Sequence, residues 1–118
     1  MKVAVTAAGK TPEDPVDQRL GRAQGFILFG EDDSWQYVDN RPNVEALSGA
    51  GVQAAQDLAD RGVAAVVTGH VGPKAYSVLS AAGIKVYIGA SGTVKEAYEA
   101  YKAGRLQEAQ EADRPGHW

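Results

Sequence analysis

The sequence predicts an α/β domain: a mixed sheet with helices on its faces. Three observations carry this expectation. Short β-branched and aromatic runs recur along the chain, two of them look like an antiparallel hairpin, and two strand–glycine loop–helix units follow. KVAVT (2–6) is a short apolar run and reads as a buried strand. AAGKTPEDPVDQRLGRAQG (7–25) is long for a plain connection, and long loops in compact domains are often functional. FILF (26–29) and the alternating WQYVD (35–39) flank the turn residues GEDDS (30–34), which makes them a hairpin. From residue 47 the period becomes helical, with Ala54, Ala55, Leu58 and Ala59 on one face and Gly62 as the stop. VAAVVT (63–68) is continuously apolar, as a parallel strand covered on both faces must be. Ala75, Val78, Leu79 and Ala82 then repeat at helical spacing between Pro73 and Gly83. IKVYI (84–88) is the last strand, and Val94, Ala97, Tyr98 and Tyr101 form the last helix face. Thr93 and Glu96 have the spacing of a capping box, and Gly104 ends that helix.

The order is β-β-β-α-β-α-β-α. Residues 1–104 form one domain, and RLQEAQEADRPGHW (105–118) reads as a polar, frayed tail. The chain has 118 residues, 44% apolar and 23% charged, enough to bury a core without disulfides or a structural metal. A formal charge of −3 argues against nucleic acid as the partner. The absence of cysteine excludes thiolate-held metals and thiol catalysis. MKVAVTAAGK is too short an apolar stretch for a secretory signal, and no run reaches membrane-spanning length. The expectation is a soluble cytoplasmic protein.

Ligands of open α/β sheets bind beyond the carboxyl ends of the strands. The segments expected there are the long first loop, Asn40–Arg41, the start of the first helix, TGHVGPK (68–74) and GASGT (89–93). Three helix starts would face this cleft, each with unpaired N–H groups and a partial positive charge. Arg19, Arg22, Arg41 and Lys74 would add formal charge, so the cleft suits an anion. Each residue also has a plainer reading. Lys74 and His70 fit a solvated helix start, the glycines fit turns, Trp35 and Tyr37 fit hairpin packing, and Glu13, Asp14 and Asp17 oppose an anion unless turned outward. Enzyme signatures are missing: GHVGPKA lacks P-loop spacing, no GxGxxG follows the first strand, and Ser48 does not follow a strand as a nucleophile elbow would. These absences favour binding over catalysis.

VDQRLGRAQGFILF (16–29), SGAGVQAAQDLADRGVAAVVTGHVGPKAYSVLSAAGIKVY (48–87) and GTVKEAYEAYKAG (92–104) together resemble the dinitrogenase iron–molybdenum cofactor biosynthesis family. That family includes NifX, NafY and the C-terminal part of NifB, and the likeness lies toward its small stand-alone, orange-protein-like members. The resemblance implies a ribonuclease H-like, three-layer α/β/α fold with a five-stranded sheet of order 3-2-1-4-5 and strand 2 antiparallel. It also implies binding or delivery of an anionic molybdenum-containing metal–sulfur cluster without turnover. Nitrogenase-associated members carry a histidine where this chain has Arg19, and many have one where it has Ser48. With no cysteine, non-covalent holding of a Mo–Cu sulfide cluster is favoured over an Fe–Mo type.

The expected cradle is Ser48, Gly49, Ala50 and Gly51, then Thr68, Gly69, His70, Val71, Gly72, Pro73 and Lys74, then Gly89, Ser91, Gly92 and Thr93. Arg19, Arg22 and Arg41 supply charge, and His70 is the one candidate metal contact. Donor and acceptor proteins are the expected partners, with no nucleic acid and no membrane. Two rival readings remain open at this point: a regulatory or scaffold domain binding a partner protein, and a small nucleotide- or phosphate-binding enzyme.

Overall fold

The computed structural model describes residues 2–45 and 49–111. Six strands form one sheet in the order β3-β2-β1-β4-β5-β6. β1 (Lys2–Ala7), β4 (Val63–Val67) and β5 (Lys85–Ile88) run parallel, and β2 (Gly25–Phe29) lies antiparallel between β1 and β3 (Trp35–Asp39). The sheet therefore has the expected order and the expected antiparallel second strand. It gains a sixth strand, β6 (Gln107–Glu108), from residues expected to form a polar tail. The reason is a single apolar anchor: Ala109 is buried, and its N–H donates to the Val86 carbonyl at 2.8 Å. One small side chain among polar ones is too weak a pattern to announce a strand.

Helices cover both faces. α2 (Ala50–Asp60) and α3 (Pro73–Ala81) pack over Ala4, Phe26, Leu28, Val66 and Val86, bringing Leu58 and Leu79 down as fully buried side chains. α4 (Val94–Lys102) covers Val3, Val5, Ile27 and Val67 on the opposite face. Truncating an interior leucine such as Leu58 removes its transfer free energy and leaves a cavity, which together cost about 2–5 kcal/mol. β1, β2 and β4 are apolar on both sides because both of their faces are covered. β3 is the least covered of these strands, with Val38 buried and Trp35 and Gln36 exposed. A short helix, α1 (Arg41–Val44), follows β3. Four residues are too few to show a period, so the sequence does not reveal it.

The capping box expected at residues 93–96 forms. Thr93 Oγ1 accepts from the Glu96 N–H at 3.1 Å, and Glu96 Oε1 accepts from the Thr93 N–H at 2.9 Å. Hydrogen bonds to the Glu96 carboxyl from the Thr93 backbone N–H, and then from the Thr93 side chain, hold it below the usual glutamate range. Replacing Thr93 by alanine should lower stability by about 1 kcal/mol, read as a lower urea midpoint at unchanged slope.

Candidate functional site: a cleft between two helix starts

Four strand ends converge on one edge: β1, β3, β4 and β5. The long first loop lies across it in two halves. Residues 8–16 run toward α4, where the Asp14 and Pro12 carbonyls accept from the N–H groups of Val94 (2.9 Å) and Lys95 (2.8 Å), and the Val16 N–H donates to Gly92 (3.0 Å). Residues 17–24 cross the ends of β1 and β4. There the Asp17 N–H donates to Thr6 (3.0 Å), the Gln18 carbonyl accepts from the His70 N–H (2.8 Å), and Gln18 Nε2 donates to Ala90 (3.0 Å). Leu20 anchors this half as a fully buried side chain. Asn40, also fully buried, donates through Nδ2 to the Ala23 carbonyl at 2.8 Å and the Gly21 carbonyl at 3.2 Å.

This stitching lays the first loop against the starts of α2 and α3, and the edge they share is the candidate cleft. Gly21 presses on the start of α2 so closely that a Cβ there would lie 2.6 Å from the Gly51 nitrogen and 2.7 Å from its Cα. A Cβ on Gly51 would in turn lie 3.4 Å from the Ala75 methyl, so the first turns of α2 and α3 are neighbours. Neither start has a side-chain cap: Gly49 and Gly72 occupy the two N-cap positions. Among the described residues no acceptor meets the N–H groups of Ala50, Gly51, Val52, Lys74 or Ala75. Two helix dipoles, each equivalent to about half a positive charge, thus end side by side with free donors. Arg19 stands half exposed at the rim, its Nε 3.8 Å from Asp17 Oδ1, and Lys74 is exposed on α3. His70 is half-buried and bridges to Arg19 through the backbone.

The structure does not bring all the expected residues together. α4 is the clearest departure, because its first N–H groups are all taken by the capping box and by Asp14 and Pro12. Gly92 and Thr93 are therefore turned to the 8–16 loop and α4, with Ala90 buried in that layer, whereas the Gly89 N–H donates to the Gly69 carbonyl at 3.1 Å and Ser91 is exposed. Thr68 and Val71 are fully buried. Thr68 Oγ1 lies 2.9 Å from Thr6 Oγ1, and Val71 sits in the core beneath α2 and α3, so neither side chain can touch a ligand. Gly69 is structural as well, since a Cβ there would meet the Gln18 Cα at 2.8 Å. Arg41 is held away by a two-pronged pair with Asp39, at 3.0 Å through Nε and 2.8 Å through Nη2. With Arg22, Asp17 and Glu45 it lines a separate groove of about 310 Å³. Ser48 lies outside the described residues. What remains in or beside the cleft is Arg19, Gly49, Ala50, Gly51, His70, Gly72, Pro73 and Lys74, with Arg22 toward the neighbouring groove. Gly21, which closes the cleft, was not among the expected site residues. Its sequence signals are its place beside the apolar Leu20 in a polar loop and within the 16–29 stretch that carries the family resemblance.

The donor set suits an anion and offers little to a bare metal ion. No thiolate is available, and no group of three histidines and carboxylates is placed to hold a metal among the described residues.

Two outcomes follow from this geometry. Hydrogen bonds from the Arg41 side chain, then from its backbone N–H, pull the Asp39 pKa from 3.8 to about 2. Because the folded value is the lower one, the pair supports the fold above the ordinary aspartate range and loses that support as pH falls toward 2. Arg41→Gln should return the Asp39 midpoint toward 3.8, read by carboxyl NMR titration. Gly21→Ala should displace the start of α2 and destabilise the protein by about 1–3 kcal/mol, with amide shifts changing first at residues 49–51.

The fold and the cleft can be set beside known proteins. The apo form of the orange protein from Desulfovibrio gigas is similar over 96% of each chain, at 40% identity and a TM-score of 0.91. The NMR structure of a Thermotoga protein provisionally named for NifB is similar over 96% of this chain and 97% of its own, at 35% identity and a TM-score of 0.83. An uncharacterised protein of Methanocaldococcus jannaschii is 29% identical over 92 residues, spanning 75% of this chain and 77% of its own. The family model for "Dinitrogenase iron-molybdenum cofactor" matches residues 1–104, the stretch that carries β1 to β5, α1 to α4 and the cleft. The chain belongs to the dinitrogenase iron–molybdenum cofactor family.

Proposed function

We propose that this protein is a non-enzymatic carrier that holds an anionic molybdenum-containing metal–sulfur cluster in the cleft between the starts of α2 and α3. Membership of the family supports a role in iron–molybdenum cofactor biosynthesis or cluster binding. The observation that carries the finer reading is the pair of uncapped helix starts, side by side and flanked by Arg19 and Lys74. A sulfide-rich cluster is a large, soft anion, and its surface sulfurs accept hydrogen bonds from backbone N–H groups as an oxyanion would. Glycine and alanine at positions 49–51 let that surface approach the backbone. Pro73, exposed at the first turn of α3, adds an apolar contact without adding a competing donor.

Charge and contact hold the cargo in this reading, without a covalent bond from the protein. The cluster therefore brings all its own sulfur ligands and can leave intact. A Mo–Cu sulfide fits this description better than a cluster that needs a protein thiolate. His70 beside Arg19 is the residue best placed for a contact with metal.

The test is anaerobic reconstitution of metal-free protein with tetrathiomolybdate and copper(I), followed by gel filtration and counting of metal and sulfide. Retained colour at a fixed ratio per chain is expected. Arg19→Glu and Lys74→Glu should each weaken retention at least tenfold with unchanged circular dichroism, whereas Arg41→Glu should retain colour. Equal retention in all three variants, or none in the parent protein, would remove the assignment.

A further inference from the structure

The face farthest in charge from the cleft carries a second feature. The β2–β3 hairpin and α4 enclose a groove of about 310 Å³ floored by Phe29, Trp35 and Tyr98. Trp35 is 47% exposed, the only large apolar side chain so exposed among the described residues. The Phe29 and Tyr98 rings stack at 3.9 Å and 4°. Lys102 sits over Tyr98 at 4.6 Å and pairs with Asp33 at 3.3 Å, and Tyr98 donates its hydroxyl proton to the same Asp33 carboxylate at 3.1 Å. That cation is already engaged. Glu13 and Glu99 line the groove exposed, and neither is in an ion pair among the described residues. Lys95 is the remaining base in the lining, and the hairpin turn adds Asp32. Acids exceed bases on this side, whereas Arg19, Arg22 and Lys74 outnumber Asp17 at the cleft.

Beside the groove the sheet ends in an open edge. β3 is the terminal strand, and no described residue pairs with its outer side. The register places Trp35 opposite Phe29, Tyr37 opposite Ile27 and Asp39 opposite Gly25. The Gly30 N–H donates to Ser34 and the Asn40 N–H to Gln24, so the even-numbered residues bond inward to β2. The N–H and C=O groups of Trp35, Tyr37 and Asp39 point outward. Exposed edges are normally blunted by lysine, proline or a bulge. WQYVD carries no lysine or proline, and its pairing with β2 has no register shift.

We propose that β3 and the Trp35 groove are a docking surface for an extended segment of a partner protein that carries arginine. The segment adds a strand to β3 through the three outward backbone positions. Its side chains opposite Trp35 and Tyr37 share their face of the sheet, so one arginine can lie along the Trp35 ring with its guanidinium toward Glu13 and Glu99. Charge complementarity selects this occupant: a basic segment is attracted here and repelled by the cleft, and an anionic cargo has the opposite preference. The surface lies on the α4 side, away from the α2 and α3 starts, and its existence does not depend on what the cleft carries.

The probe is a blocked heptapeptide of alternating valine and arginine, titrated at low ionic strength into metal-free ¹⁵N-labelled protein. Amide shifts are expected at Trp35, Tyr37 and Asp39 and along α4. Affinity should fall at least tenfold in Trp35→Ala and in the Glu13→Gln/Glu99→Gln double variant, whose exposed positions leave the fold intact. The same peptide with glutamate for arginine should leave the spectrum unchanged. Shifts at residues 19–22 and 70–74 instead, equal binding by the glutamate peptide, or unchanged affinity in both variants would overturn the proposal. Concentration-dependent dimerisation without peptide, abolished by Trp35→Ala, would give the edge to a second copy and overturn it too.

Discussion

The structure depends on a requirement of polar groups: taken out of water, they must find partners inside the protein. Thr6, Asn40 and Thr68 are fully buried at the edge where four strands end. A buried donor left unpaired costs about 1–3 kcal/mol, so their partners are determined rather than incidental. Thr6 and Asn40 bond backbone carbonyls of the long first loop, at Asp17, Gly21 and Ala23, and Thr6 and Thr68 meet each other. Every buried side-chain polar atom among the described residues is satisfied. A connection of more than a dozen residues is thereby held as firmly as a strand, and it brings Arg19 and Gly21 to the first turns of α2 and α3.

The same local chemistry then gives opposite results at different helix starts. α2, α3 and α4 all follow glycine-containing loops, yet only α4 supplies its own cap. Thr93 and Glu96 close its first turn, and the carbonyls of Asp14 and Pro12 take the remaining donors. An anion can be held only where donors are still free, so the binding potential of the edge collects on the α2/α3 side. The other side becomes neutral in donors and acidic in side chains. One small domain thus presents a cationic cleft and an acidic, aromatic hairpin face, surfaces suited to different ligands.

Every element with a strong period was legible in the residues, while the sheet order and its antiparallel second strand were legible only through the family resemblance. Val63–Val67 reads as a doubly covered strand because apolar residues occupy both of its faces, and α4 announces itself by its cap. The sixth strand and α1 were not legible, because two and four residues carry no period. Within the site, residue type singled out Arg19, His70 and Lys74, which the fold leaves near the starts of α2 and α3. It gave no warning that Val71 would turn into the core or that Asp39 would hold Arg41 aside.

By itself the sequence determined the order of strands and helices, the basic residues available to the edge, and the absence of any thiolate with which to bind a metal covalently. These follow from periodicity, charge and composition, which are properties of single residues and their near neighbours. Only the tertiary structure decided which helix starts keep free donors, which glycines line a cleft rather than fill a turn, and which arginine is already paired. Those outcomes depend on partners far away in the chain, such as Gln18 and Ala90 or Pro12 and Lys95. A hydrogen bond satisfies a given group regardless of sequence distance, so only the folded chain shows which groups remain for a ligand.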